Sequence, residues 1–221
     1  MTDPLYKAAI VDLLGAIGYG EISAFERLTE DARMSPSLED KLAILGMASA
    51  QYAKVAPITT RLSELGVDPY AAMEPFREPI DDFHAHTAPS DWWEGLVKAY
   101  VGDNLANDFY REFAVHLDAP TRDLIVSTVG DEGRSAFVVD RVRTGMAADP
   151  KLGGRLALWG RRIMGEALTQ TQHVAATREA LSELVAGERS IAGLDLAAVG
   201  EMFTRITQRH IERMARLGLA H

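Results

Sequence analysis

"MASAQYAK", residues 47–54, is the stretch on which the fold hinges. Ile44, Met47, Gln51, Lys54, Ile58, Leu62 and Leu65 recur at helical spacing, so Gln51 and Lys54 fall inside an apolar stripe. An unpaired buried amide costs roughly 2–7 kcal/mol and an unpaired ammonium more. The stripe therefore requires partners for both residues on neighbouring elements.

The surrounding pattern is helical almost throughout. A first helix is expected over residues 3–31, with Ile10, Leu14, Ile17, Glu21, Phe25 and Leu28 on one face. A second starts at Ser35-Pro36, a cap followed by proline, and ends at Gly66. Pro57 lies inside it, frees the carbonyl of Ala53 and predicts a kink beside Lys54. Residues 66–90 carry four prolines, which predicts a long crossover with short helical turns. Further helices are expected over 90–117, 118–148, 149–186 and 195–218. No segment alternates as a strand does.

Two long helices, a long crossover and two more long helices predict an all-α four-helix bundle. Residues 1–148 would form the bundle, and residues 149–221 would add two C-terminal helices packed on it as an extension of the same domain. The halves echo each other. Gly20-Glu21 in the first helix matches Gly102-Asp103 in the third. Each acid is followed about 30 residues later by a polar pair three apart, Gln51 and Lys54 in one half, Asp131 and Arg134 in the other. The apolar face of the fourth helix is broad enough that Glu132 and Ser135 are an alternative register.

This layout resembles the ferritin-like di-iron carboxylate superfamily. Its bundles carry one Glu on each of two helices and a Glu-x-x-His on each of the other two. Together with "LALWGRRIMGEALTQTQ", the chain is most similar to an actinobacterial ferritin-like group described as akin to the tRNA hydroxylases of 2-methylthio-isopentenyladenosine. The resemblance implies that Glu21 and Asp103 stand at the single-acid positions. Gln51 and Asp131 then replace the second- and fourth-helix glutamates, and Lys54 and Arg134 replace the histidines. Three acids against two cations leave one net negative charge, which Gln51 or a tyrosine such as Tyr19 would offset. A protonated lysine or arginine does not ligate a metal and repels an arriving cation. The expectation is therefore a degraded di-iron site without a cofactor, in a protein that serves as a structural or binding module. The alternative is a hydroxylase with two iron or manganese ions, so enzymatic activity stays open. A lone lysine beside an apolar stripe is often a side chain that reaches water, and Lys54 and Arg134 carry that plainer reading too.

Composition narrows the classes. The 221 residues are 47% hydrophobic and 25% charged, with no cysteine, which excludes thiolate metal sites and Cys nucleophiles and suits a cytoplasmic protein. No stretch reads as a membrane span, and no membrane partner is expected. The net charge of −9 opposes broad nucleic-acid binding. Two basic runs stand against it. Arg134, Arg141, Arg143, Lys151, Arg155, Arg161 and Arg162 form one, and Arg205, Arg209, Arg213 and Arg216 the other. They allow an RNA or acidic partner, although charge runs usually coat solvated faces. Glu166, Gln170 and His173 interrupt the apolar face of the fifth helix and are pocket candidates, with an interhelical or homodimer contact as the plainer reading. A homodimer is the expected assembly. His84 and His86 in the crossover are too few for a metal site alone.

Overall fold

The computed structural model describes residues 3–128, 132–186 and 196–220, and every regular element among them is helical. Helix α1 spans Pro4–Asp31. Asp3 caps it by accepting from the Leu5 N–H, and Pro4 takes the first helical position, where a missing N–H costs nothing. A 3₁₀ turn, Ala32–Met34, leads to α2, Leu38–Ala53. The cap is Ser37, two residues beyond the expected Ser35. Its hydroxyl accepts from the Asp40 N–H at 3.1 Å and donates to the Asp40 carboxylate at 2.7 Å. This exchange, which Ser35 does not make, moves the helix start.

The second helix does break beside Lys54. α2 ends at Ala53 and α3 runs Val55–Glu64, with Lys54 between them. Pro57 falls in the first turn of α3, where its missing donor is tolerated. α3 closes on Gly66 at φ 72°. The Val67 N–H reaches the Leu62 carbonyl and the Gly66 N–H the Ser63 carbonyl, the bond pair of a left-handed helix stop.

The crossover is itself helical: α4, Pro69–Met73, a 3₁₀ turn, Glu74–Phe76, and α5, Arg77–His86. It packs directly on α1. A Cβ on Gly15 would lie 2.1 Å from the Ala72 carbonyl oxygen, so only glycine permits this approach of the two backbones. α6, Trp92–Ala114, is capped by Asp91, and Glu94 reaches back to accept from the Ser90 N–H and hydroxyl. The expected fourth helix is described as two segments, α7, Ala119–Thr128, and α8, Glu132–Ala148. The C-terminal part comprises α9, Lys151–Thr177, α10, Glu179–Ala186, and α11, Leu196–Leu217.

Helices α1, α2, α8 and α6 form a closed ring, each touching the next. Ile10, Leu14, Ile17, Ile58, Leu62 and Phe76 pack with Leu181 and Leu184 of α10 in one core cluster. Leu96, Val97, Val101 and Leu105 of α6 pack with Val138 and Val142, and with Leu156, Ile163 and Ile206, in the other. Residues beyond 148 thus contribute to both clusters. α6 is enclosed on nearly all sides, by α1, α8, α9 and α11. α1 with its 3₁₀ extension, Pro4–Met34, is long and apolar enough by composition to cross a membrane, contrary to the sequence expectation. Half of its most apolar 18-residue window is buried in the protein, and the helix as a whole carries Glu21 and Asp31 inward, as a core helix does.

Candidate functional site

Glu21, Gln51, Lys54 and Asp103 come together where α1, α2 and α6 meet. The Glu21 position on α1 is 4% exposed. Lys54 Nζ lies 3.3 Å from the Glu21 carboxylate and donates to it. The Lys54 side chain is 17% exposed, so the ammonium is neither free in solvent nor fully enclosed. Gln51 is buried and its Nε2 donates to Asp103 Oδ1 at 2.5 Å, while Asn107, one turn along α6, donates to Oδ2 at 3.4 Å. Gln51 Oε1 is buried without a hydrogen-bond partner. The amide and ammonium that opened the problem therefore each meet one carboxylate.

Burial pushes the Glu21 carboxyl up to about 7, with Lys54 holding it down and Asp103 adding to the rise. The Tyr110 phenol is raised well above its ordinary value, by burial first and then by the Glu21 and Asp103 charges. Tyr110, not Tyr19, is the tyrosine beside the acids. Tyr19 donates to Asp81 of α5 at 2.8 Å. Asp131 lies outside the described residues, as do the side chains of Arg134 and of the alternative pair Glu132 and Ser135. Their half of the echo is not placed.

The fold implies a di-metal centre at these positions. The described side chains do not fit one. Two carboxylates face each other, but one is bonded to an ammonium and the other to an amide nitrogen, and both of these are donors. Among the described residues no group of three or more His, Asp or Glu side chains converges on a point. Two oxygen-donor residues fall short of the four to six ligands a hard divalent cation needs.

The same polar cluster borders a cavity of about 290 Å³ between α1 and α6, roofed by α5, α9, α10 and α11. Its walls are mainly apolar, including Leu13, Ala16, Ala24, Phe109 and Phe113, with Glu21, Gln51 and Asp103 partway along. A second polar group closes one end: Arg27, Asp31, His84 and Lys98. Lys98 is buried, and burial pushes its ammonium down to about 8 against the opposing pull of Asp31. Asp31 is raised by burial to about 6. His84 is lowered to about 3 by burial and then by the Lys98 and Arg27 charges, so it is neutral across the physiological range.

Gln170 lines this cavity, but Glu166 and His173 do not. Glu166 accepts from Gln170 at 2.9 Å and contacts His86 Nδ1 at the same distance, tying α9 to the crossover. His173 is exposed. His84 and His86 diverge, one toward the cavity and one toward Glu166.

The basic runs are largely engaged inside the chain. Arg141 binds Asp40, Arg155 binds Asp91 and Glu94, and Arg162 sits over the Trp159 ring. Arg205 and Arg209 pair with Glu112, and Arg213 with the fully buried Asp108. Three arginines of α11 thus turn toward acids of α6, Arg213 buried and Arg205 and Arg209 still partly exposed, while Arg216 stays on the solvated face. Lys98 and Asp108 escaped the sequence reading, although with Val101 and Leu105 they repeat at helical spacing along a second buried seam of α6.

A comparison with curated proteins finds no match. A family model described as a ferritin-like domain of actinomycetes matches residues 4–188. That range includes the ring of four helices, the crossover, both carboxylates of the cluster and the helices that roof most of the cavity. The chain belongs to this ferritin-like family of actinomycetes.

Proposed function

We propose that this ferritin-like protein binds a small, mainly apolar molecule inside its bundle, and that it does so without a metal centre. The observation that carries the reading is the joint placement of two features. An apolar cavity of about 290 Å³ lies against the positions where the superfamily holds metals, and those positions are closed by their own ion pair and amide contact. Pockets of this size, apolar with a few convergent polar groups, are the usual form of a small-molecule site. The Glu21–Lys54 pair offsets charge that a metal would otherwise neutralise, so the acids can stay in the bundle. A tRNA-modifying hydroxylase would require two bound metal ions, and among the described residues Glu21 and Asp103 alone do not supply their ligands.

Calorimetric titration of the full chain with a neutral aliphatic alcohol, dodecan-1-ol, tests the reading. The expected result is saturable binding to one site per chain. Ala106→Trp, or Ala24→Phe if the first variant does not fold, should remove that binding, because both residues line the cavity. Absence of saturable binding to the wild type, or undiminished binding to a folded filled variant, contradicts it.

A further inference from the structure

The cavity is long. Gly95 of α6 lies against Asp31, and Asp103 acts on Glu21, so α1 and α6 run antiparallel along it. Lys98 and Phe113 of α6 both line it, 15 residues apart, which corresponds to about 22 Å of helix. Its two ends differ in chemistry. Leu13, Phe76, Phe113 and Leu181 make the far end apolar, whereas Arg27, Asp31, His84 and Lys98 make the near end polar.

The near end holds more hydrogen-bonding capacity than the protein satisfies. Lys98 is 5% exposed. Its ammonium has three donors, and among the described residues the one hydrogen bond it makes is to the His84 carbonyl at 3.4 Å. No ion pair within 4.0 Å joins it to Asp31. Arg27 Nε and His84 Nδ1 are buried without hydrogen-bond partners. Arg27 keeps its other nitrogens on Glu26 and Glu30 at the surface. At this end the cavity is lined by two cations, Lys98 and Arg27, and one acid, Asp31, whose carboxyl burial raises; Glu26 and Glu30 offset Arg27 from the surface side, and Lys98 has no paired acid within 4.0 Å among the described residues.

The near end also adjoins solvent. Arg27 and His84 line a surface groove between α1 and α5, together with Tyr19, Arg77 and Asp81. Three acids also line the groove, each engaged: Asp81 by Tyr19 and Arg77, Glu74 by Arg77, and Glu26 by Arg27. A ligand entering there would pass its apolar part inward first and leave its polar group beside Lys98.

We propose that the ligand is a long-chain aliphatic carboxylic acid, its carboxylate held by Lys98 and Arg27 and its chain extended between α1 and α6. The proposal rests on the reading that the cavity takes an apolar molecule, and it assigns that molecule a head group and a direction. A carboxylate would accept the spare donors of Lys98 and the Arg27 Nε–H, forming charge-assisted bonds away from water. An alkylamine would bring a third cation to the same place. A neutral alcohol would leave the ammonium without its counter-charge.

The test compares dodecanoic acid, dodecan-1-ol and dodecylamine, titrated below their aggregation limits into the full chain at pH 7.5. The acid is expected to bind at least about tenfold more tightly than the alcohol, and the amine most weakly. Lys98→Met should bring acid and alcohol within about twofold, and Lys98→Arg should keep the preference for the acid. Thermal melting establishes that each variant is folded; if Lys98→Met is not, the wild-type ranking decides alone. Equal binding of acid and alcohol, or a preference for the amine, overturns the head-group assignment and leaves the cavity reading standing. No binding of either acid or alcohol overturns both.

Discussion

Asp108→Ala is expected to destabilise the protein by about 3–5 kcal/mol, the cost of stranding a buried cation. Asp108 has no exposed surface and lies on the enclosed seam of α6. Arg213 of α11 contacts it, with 8% of its own side chain exposed, and Arg209 and Arg111 approach at 3.7 and 3.5 Å. Without the carboxylate, Arg213 has no ion-pair acid among the described residues, and a guanidinium does not lose its proton to escape. Asp108→Asn should cost less, since the amide still offers an oxygen. Replacing both partners with apolar residues, Asp108→Leu with Arg213→Met, should recover much of the loss, because an ion pair is dispensable once neither charge remains. Urea unfolding of the four proteins measures this. A loss below about 1 kcal/mol for Asp108→Ala would show that the pair does not hold α11 to the bundle.

Lys54→Met should show a smaller loss with a distinctive pH dependence. The Glu21 carboxyl titrates near 7 in the folded protein, above its ordinary value of 4.5, because it is buried. A carboxyl raised in this way binds more protons folded than unfolded between those two values, so its contribution to stability falls as pH rises through that window. In the wild type the fall ends near pH 7, where Lys54 supports the ionised form. Without Lys54 the folded carboxyl is raised further, and stability keeps falling above pH 7. The two proteins should therefore differ by less than about 1 kcal/mol at pH 5.5, where Glu21 is protonated in both. At pH 8.5 they should differ by about 2–3 kcal/mol, a figure held below the fully buried case by the partial exposure of Lys54. Asp31 titrates in the same direction, but it is common to both proteins and cancels. In a Glu21→Gln background, the further loss caused by Lys54→Met should no longer depend on pH. A gap of equal size at both pH values would mean that Lys54 contributes packing only.

Much of the fold was legible because its signals are local and repeated. The matched Gly-acid steps at Glu21 and Asp103 lie on faces with clean helical spacing, and Pro57 marks the break beside Lys54. That Gln51 and Lys54 need partners follows from their place in an apolar stripe, whereas which acids they meet, Asp103 and Glu21, depends on how three helices pack. The rest fails for a physical reason. A helix enclosed on all sides has no single apolar face, so the seam of Lys98, Val101, Leu105 and Asp108 is hidden beneath the stripe of Leu96, Ala99 and Asp103. The arginines of α11 look like a solvated face because a sequence does not show which acids lie opposite. A signal was present: Asp108 and Glu112 are four apart on α6, and Arg205, Arg209 and Arg213 repeat at the same interval on α11. Two complementary charge rows of equal period can lock two helices together. The cavity left only a faint trace, Gln170 among the polar interruptions of the fifth helix, because it forms between elements far apart in the chain and much of its roof comes from helices beyond the expected bundle.

The most direct test is the metal content of the protein grown with iron and manganese and purified without chelator. Elemental analysis should find far less than one metal ion per chain, with the melting temperature unchanged by added metal. About two ions per chain, lost together with thermal stability on chelation, would contradict the replacement of the metal centre by Lys54 and Gln51.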